Sequence, residues 1–116
     1  MRNEHMSASA EKLKAGSIGS ESNIHHASHL LKAIAHPLRL KILCILASDT
    51  EVSVQDIVEL VGTSQSNISQ HLSILRDKDI LTTHKNANKV YYRFGDQKIL
   101  NLIVALCEAI CRPANR

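Results

Sequence analysis

Apolar residues return along this chain at helical spacing in four blocks, then in two short β-prone runs, then at helical spacing again. From Glu21, the residues Ile24, Ala27, Leu31 and Ile34 share one stripe with Leu30 at its edge, and the run stops at His36-Pro37. Proline disfavours helix in the residue before it and suits a first helical turn, so Pro37 marks a break and a restart. The next block, PLRLKILCILAS, has Leu38, Ile42, Ile45 and Leu46 on one side. Leu40, Leu43 and Cys44 leave it few exposed positions beyond Arg39, Lys41 and Ser48, which predicts a central helix.

The stretch from Val52 to Arg76, VSVQDIVELVGTSQSNISQHLSILR, predicts two short amphipathic helices joined by a tight turn, a helix-turn-helix. Val54, Ile57, Val58 and Val61 form the buried stripe of the first, with Gln55, Asp56 and Glu59 outside. Gly62 suits the left-handed conformation that ends a helix, and Ser64 is a good N-cap for the next. At about 100° per residue, Ile68, Leu72 and Leu75 cluster on one side of that next helix. Ser66, Ser69, Gln70 and Ser73 lie on the opposite arc, which holds no acidic residue. Such a face is a poor dimer seam and a poor membrane surface. Its donors and acceptors suit base edges in a major groove, and Ser64 to Ser66 place free backbone N–H groups where a phosphate can meet them. The expected DNA-binding set is Ser64, Gln65, Ser66, Ser69, Gln70 and Ser73; the same pattern would also suit a solvated helix of an all-α domain.

Ile80 to Thr83 and Val90 to Phe94 are β-prone runs around HKNANK, with Asn86, Ala87 and Asn88 as a hairpin tip. Placed directly after a helix-turn-helix, the hairpin reads as a wing. Lys85, Lys89 and the nearby Arg93 equip it to meet phosphates or a minor groove. The last segment, Asp96 to Cys111, carries two adjacent apolar stripes, Ile99, Ile103, Leu106 and Ile110 beside Leu100, Val104, Cys107 and Cys111. Two stripes exceed what one domain surface covers, and the simplest further partner is a second copy. A twofold dimer would set two reading helices about one DNA turn apart on a palindromic operator. The expected fold class is mainly α with a small β-hairpin: a winged helix-turn-helix of order α-α-α-α-β-β-α, dimeric through its first and last helices.

Composition narrows the function more than it identifies it. The 116 residues suit one domain, and 44% hydrophobic content with 3% aromatics predicts a small aliphatic core. The net charge of +3 permits a nucleic-acid partner without demanding one. No apolar run approaches bilayer length and residues 1 to 20 lack the apolar core of a signal peptide, so a soluble cytoplasmic protein with no membrane partner is expected. Residues 1 to 20 read as a disordered leader, 21 to 111 as the DNA-binding and dimerisation domain, and 112 to 116 as a tail. There is no glycine-rich phosphate loop and no nucleophile-base-orienter set, which argues against an enzyme; no cofactor is expected.

The run LLKAIAHPLRLKIL at Leu30 to Leu43, the run SQSNISQHLSILRDKDIL at Ser64 to Leu81 and VYYRF at Val90 to Phe94 resemble the ArsR/SmtB family of bacterial winged-helix repressors. The resemblance covers about Ala27 to Cys111. Asp79 stands where glycine is common in that family. The resemblance implies a homodimer on double-stranded operator DNA, with the Ser64 to Ser73 helix in the major groove and an inducer that releases it.

The family's sensing sites vary, and the familiar metal sites are incomplete here. The resemblance places a soft-metal cysteine site at the start of the third helix, where this chain reads SVQDIV without a thiol. A zinc-type site on the last helix would use a carboxylate and histidines; Asp96 is present, but Lys98, Ala109 and Arg112 occupy the other positions. Among the histidines, His25, His26 and His29 remain a possible metal feature. His25 and His29 have ligand spacing, yet two imidazoles leave a tetrahedral ion short of protein ligands, and no metal is favoured. His36, His71 and His84 are expected to be structural or DNA-adjacent, His71 packing beside Ile68 and Leu72 with a satisfied hydrogen bond.

Three cysteines in a cytosolic chain point to metal, catalytic or redox use rather than a structural disulfide framework. Cys44 and Cys111 resemble in position the paired cysteines of the sulfide-, persulfide- and redox-responsive branch of the family, the BigR, SqrR and HlyU type. What that implies is a repressor released when Cys44 and Cys111 become linked by a disulfide or polysulfide. Small sulfur species or oxidants are then the inducers, and Cys107 an auxiliary thiol or core filler. Two alternatives stay open: a metal- or metalloid-responsive repressor, and an antirepressor or activator on the same fold.

Overall fold

The computed structural model describes residues 20–48 and 51–110. The expected leader to residue 19, the tail and Cys111 lie outside the described residues. In chain order the elements are α1 (Glu21–Ile34), α2 (Pro37–Ser48), β1 (Val52–Ser53), α3 (Val54–Val61), α4 (Gln65–Asp77), β2 (Leu81–Asn86), β3 (Lys89–Phe94) and α5 (Gln97–Ile110). Among the described residues, those up to Lys32 belong to one unit and those from Ala33 onward to another. Within α1, Ser20 caps the start by accepting from Asn23 N through its Oγ at 3.2 Å.

In the second unit, α2 packs against α3, α4, α5 and β3, the central place its nearly continuous apolar sequence predicts. Ile42 and Leu43 are wholly buried, and Leu46 nearly so. Ile57, Ile68, Leu72, Leu75, Ile80 and Ile103 extend the core from α3, α4, the following turn and α5, and Val52, Leu81 and Tyr92 add the sheet to it. Each such side chain contributes about 1.5–3 kcal/mol by leaving water. His36 starts α2: its Nδ1 accepts from Leu38 N at 3.2 Å and its carbonyl from Leu40 N at 2.8 Å.

The helix-turn-helix is specified at each of its ends. Ser53 Oγ accepts from Asp56 N at 3.1 Å to cap α3, and Gly62 closes that helix at φ 84°. Ser64 Oγ accepts from Asn67 N at 3.1 Å to cap α4. At the far end of α4, Asp79 N donates to Arg76 O and Ile80 N to Leu75 O, while Asp79 adopts φ 62°. That is the bonding of a Schellman cap, with Ile80 and Leu75 both buried. The left-handed backbone at Asp79 explains why a glycine suits this position.

The sheet is larger than the pattern predicts, with strand order β1-β3-β2 and both pairings antiparallel. Val52 pairs with Tyr92 and Ser53 with Tyr91, so the residue that caps α3 also sits in the wing's sheet. A two-residue strand has no room to alternate, which hides it from a period-2 reading. The hairpin tip is also tighter than expected. Asn86 pairs with Lys89, leaving Ala87 and Asn88 as a two-residue turn, with Ala87 at φ 58°.

Candidate nucleic-acid interface and thiol pair

The outer face of α4 is built as its sequence predicts. Ile68, Leu72 and Leu75 are wholly buried, whereas Ser64, Gln65, Ser66, Ser69 and Gln70 are exposed and Ser73 is half-buried. Lys85 and Lys89 are exposed at either side of the wing tip. Gln65 and Ser69 of α4, Ser53 to Gln55 at the start of α3, and Asn88 and Lys89 of the wing line one open groove of about 350 Å³. Helix face and wing therefore present polar groups to a common concavity. Its walls offer serine and amide groups and one cation, and no carboxylate.

Arg93 does not join the tip. It pairs with Thr82 toward the base of the hairpin, and its Nη1 lies 3.6 Å from Glu51 Oε2. The same carboxylate oxygen lies 2.9 Å from His84 Nε2, so Glu51 gathers one side chain from each wing strand. Sequence reading passed over Glu51 because its partners are more than thirty residues away. It also passed over the Ser53 cap, although Ser53 and Asp56 have the serine-x-x-acid spacing of a helix start.

Behind α4, Arg39 ties the reading helix to α2. Its Nε donates to His71 Nδ1 at 3.1 Å and its Nη1 to Ala33 O at 3.0 Å. The His36 and His71 rings stand 4.6 Å apart. Burial pushes the His71 pKa below the ordinary histidine value, and the nearby His36 and Arg39 push it the same way. His71 thus has the satisfied hydrogen bond its position predicts.

Cys44 is joined by a disulfide to Cys107, the residue expected to be auxiliary; its expected partner Cys111 lies outside the described residues. Where α5 packs on α2, Cys107 is half-buried and its Cα lies 6.3 Å from that of Cys44, inside the usual disulfide range. The bridge fastens α5 to the helix that also packs on α3 and α4.

Among the described residues, several large apolar side chains stay open in the single chain, Leu60 of α3 at 61% among them. On α1, Ile24 and Leu31 are 57% and 54% exposed; on α5, Leu102 and Ile110 are 43% and 58% exposed. Among the described residues no helix is long and apolar enough to cross a membrane.

Comparison with known proteins agrees with this architecture. Residues 36–83 match the model of the bacterial regulatory protein, arsR family. The chain is 38% identical over 84 residues to the biofilm growth-associated repressor of Agrobacterium fabrum, covering 72% of this chain and 71% of that one. It is 38% identical over 92 residues to the transcriptional activator HlyU of Vibrio cholerae, covering 79% and 84%. Among solved structures, reduced HlyU from V. cholerae superposes with a TM-score of 0.76 at 36% identity, covering 82% of this chain and 99% of that one. The transcriptional repressor BigR from Xylella fastidiosa superposes with a TM-score of 0.72 at 31% identity, covering 84% and 99%. With its helix-turn-helix, its wing and these relatives in agreement, the chain belongs to the arsR family of bacterial transcriptional regulators.

Proposed function

We propose that this protein is a homodimeric repressor of a palindromic operator, and that the redox state of its cysteines sets its grip on DNA. The observation that carries the switch is the Cys44–Cys107 bridge between α2 and α5. The apolar residues left open on α1 and α5 support a second copy as their cover, in keeping with helix pairing between subunits. A crosslink that fixes α5 against α2 then alters the relation between the dimer seam and the two reading helices. A coupling of about 1–3 kcal/mol changes affinity from several-fold to about a hundredfold.

The chemistry needs an external sulfur donor or oxidant. The Cys44 thiolate attacks the outer sulfur of an organic persulfide and expels the organic thiolate, leaving Cys44 as a persulfide. A second cysteine thiolate then attacks the inner sulfur, the S–S bond breaks, and hydrosulfide leaves as the protein disulfide forms. If the second cysteine is converted to a persulfide in the same way, the Cys44 persulfide anion attacks its inner sulfur, hydrosulfide leaves, and the bridge is a trisulfide.

Operator affinity before and after persulfide treatment tests the switch, with intact mass read in parallel. Cys44→Ser should bind operator as the parent does and keep that binding after treatment. Cys107→Ser and Cys111→Ser separate the pairing seen here from the one the family resemblance implies. Undiminished release in Cys44→Ser would reject the thiol switch. The name of the relative HlyU favours a second reading, activation, which promoter occupancy measured together with transcript level would distinguish.

A further inference from the structure

The thiol switch makes no use of the histidines of α1, where two imidazole nitrogens stand side by side. His25 Nε2 and His29 Nε2 lie 3.2 Å apart, with ring centroids separated by 4.6 Å and the ring planes tilted by 54°. Both side chains are exposed. We propose that His25 and His29 form a bidentate seat for a borderline divalent cation of the Zn²⁺, Ni²⁺ or Cu²⁺ class.

The distance carries the argument. A nitrogen–metal bond of about 2.05 Å puts two nitrogens about 2.9 Å apart at a right angle and about 3.4 Å apart at the tetrahedral angle. The observed separation falls between these values, so the pair has the bite of a chelate for either geometry without a change of backbone. In the absence of metal, one ring N–H can point at the other ring's lone pair. On coordination each ring offers its Nε2 lone pair and carries its hydrogen on Nδ1, and no electron transfer is involved.

Ligand chemistry selects the ion. Imidazole suits zinc, copper and nickel, whereas magnesium and calcium require oxygen donors. Among the described residues no group of three histidine, cysteine, aspartate or glutamate side chains could hold a metal. Among the described residues the seat therefore has two protein ligands, and Cu²⁺ binds most tightly by the general order of divalent affinities. His26 is adjacent in sequence but about 100° around the helix from His25, outside this pair.

The test is titration of the chelator-treated full chain, disulfide intact so that Cys44 and Cys107 are not ligands, with Cu²⁺ and separately with Ni²⁺. Calorimetry reads affinity, and electron paramagnetic resonance counts the nitrogens on copper. One Cu²⁺ per chain with two imidazole nitrogens is expected. His25→Ala and His29→Ala should each weaken binding at least tenfold, and His26→Ala less than threefold. A double variant, Ala27→His with His29→Ser, keeps the number of imidazoles but sets the second about 200° around the helix from His25, and it should bind as weakly as His29→Ala. Circular dichroism on each variant checks that α1 persists. Parent-like binding by the spacing variant, or an equal loss in His26→Ala, would overturn the proposal.

Discussion

Arg39 Nε donates a hydrogen bond of 3.1 Å to His71 Nδ1, linking the first turn of α2 to the buried side of α4. The bond requires an unprotonated Nδ1. A proton on that nitrogen would remove the acceptor and set a second cation against the guanidinium, with His36 alongside. Because the folded-state pKa of His71 is lowered, the unfolded chain takes up its proton first as pH falls. The stability tied to neutral His71 is present above the ordinary histidine range and is lost as pH drops through the lowered folded value. Urea midpoints measured between pH 8 and pH 5 should therefore fall on the acid side. His71→Asn, whose side-chain oxygen can replace Nδ1 as acceptor, should flatten that slope; an unchanged slope would remove His71 as its source.

The two serine caps should differ in what their loss does. Ser64→Ala removes an exposed cap from α4 and should cost about 1 kcal/mol. Ser53→Ala should cost as much or more, up to about 2 kcal/mol, because Ser53 is buried and Asp56 N would lose its acceptor there. Chemical denaturation of both variants checks the order.

Among the described residues, two left-handed positions are not glycine, Asp79 at φ 62° and Ala87 at φ 58°. Glycine takes this conformation without the steric cost of a Cβ, so Asp79→Gly should raise stability by up to about 1 kcal/mol despite the added freedom of the unfolded chain. The reverse case is Gly62→Ala at φ 84°, where space is open but the backbone is wrong, and a loss of about 1 kcal/mol is expected. Thermal midpoints with matched buffers measure both.

Across the groove, the helix and the wing should give different signatures on DNA. Gln70→Ala should cost about 1–3 kcal/mol on operator sequence and little on unrelated DNA, as loss of a base contact does. Lys89→Ala should weaken both similarly and lower the salt slope by about one unit, as loss of a phosphate contact does. Salt-series binding curves on the two DNAs separate the roles. Parent-like binding by both variants would show that this face does not meet DNA.

The order of elements was legible because each local signal had a local cause. Pro37, Gly62 and Ser64 act within a few residues of themselves, and the stripe of Ile68, Leu72 and Leu75 follows from helical period alone. The hairpin was visible from composition, but its tip needed the register of Asn86 on Lys89. Arg93 was assigned to the tip from nearness in sequence, whereas the pleat and Glu51 draw it to the base.

By itself the sequence determined the helices, the caps at Gly62 and Ser64, the polar outer face of α4 and the lysines flanking the wing tip, since backbone geometry and side-chain period set these over short range. Only the tertiary structure decided that β1 closes on the wing, that Arg39 meets His71, and that Cys44 lies opposite Cys107. Those relations join residues 32 to 63 positions apart, and they depend on how the elements pack, which no local pattern encodes.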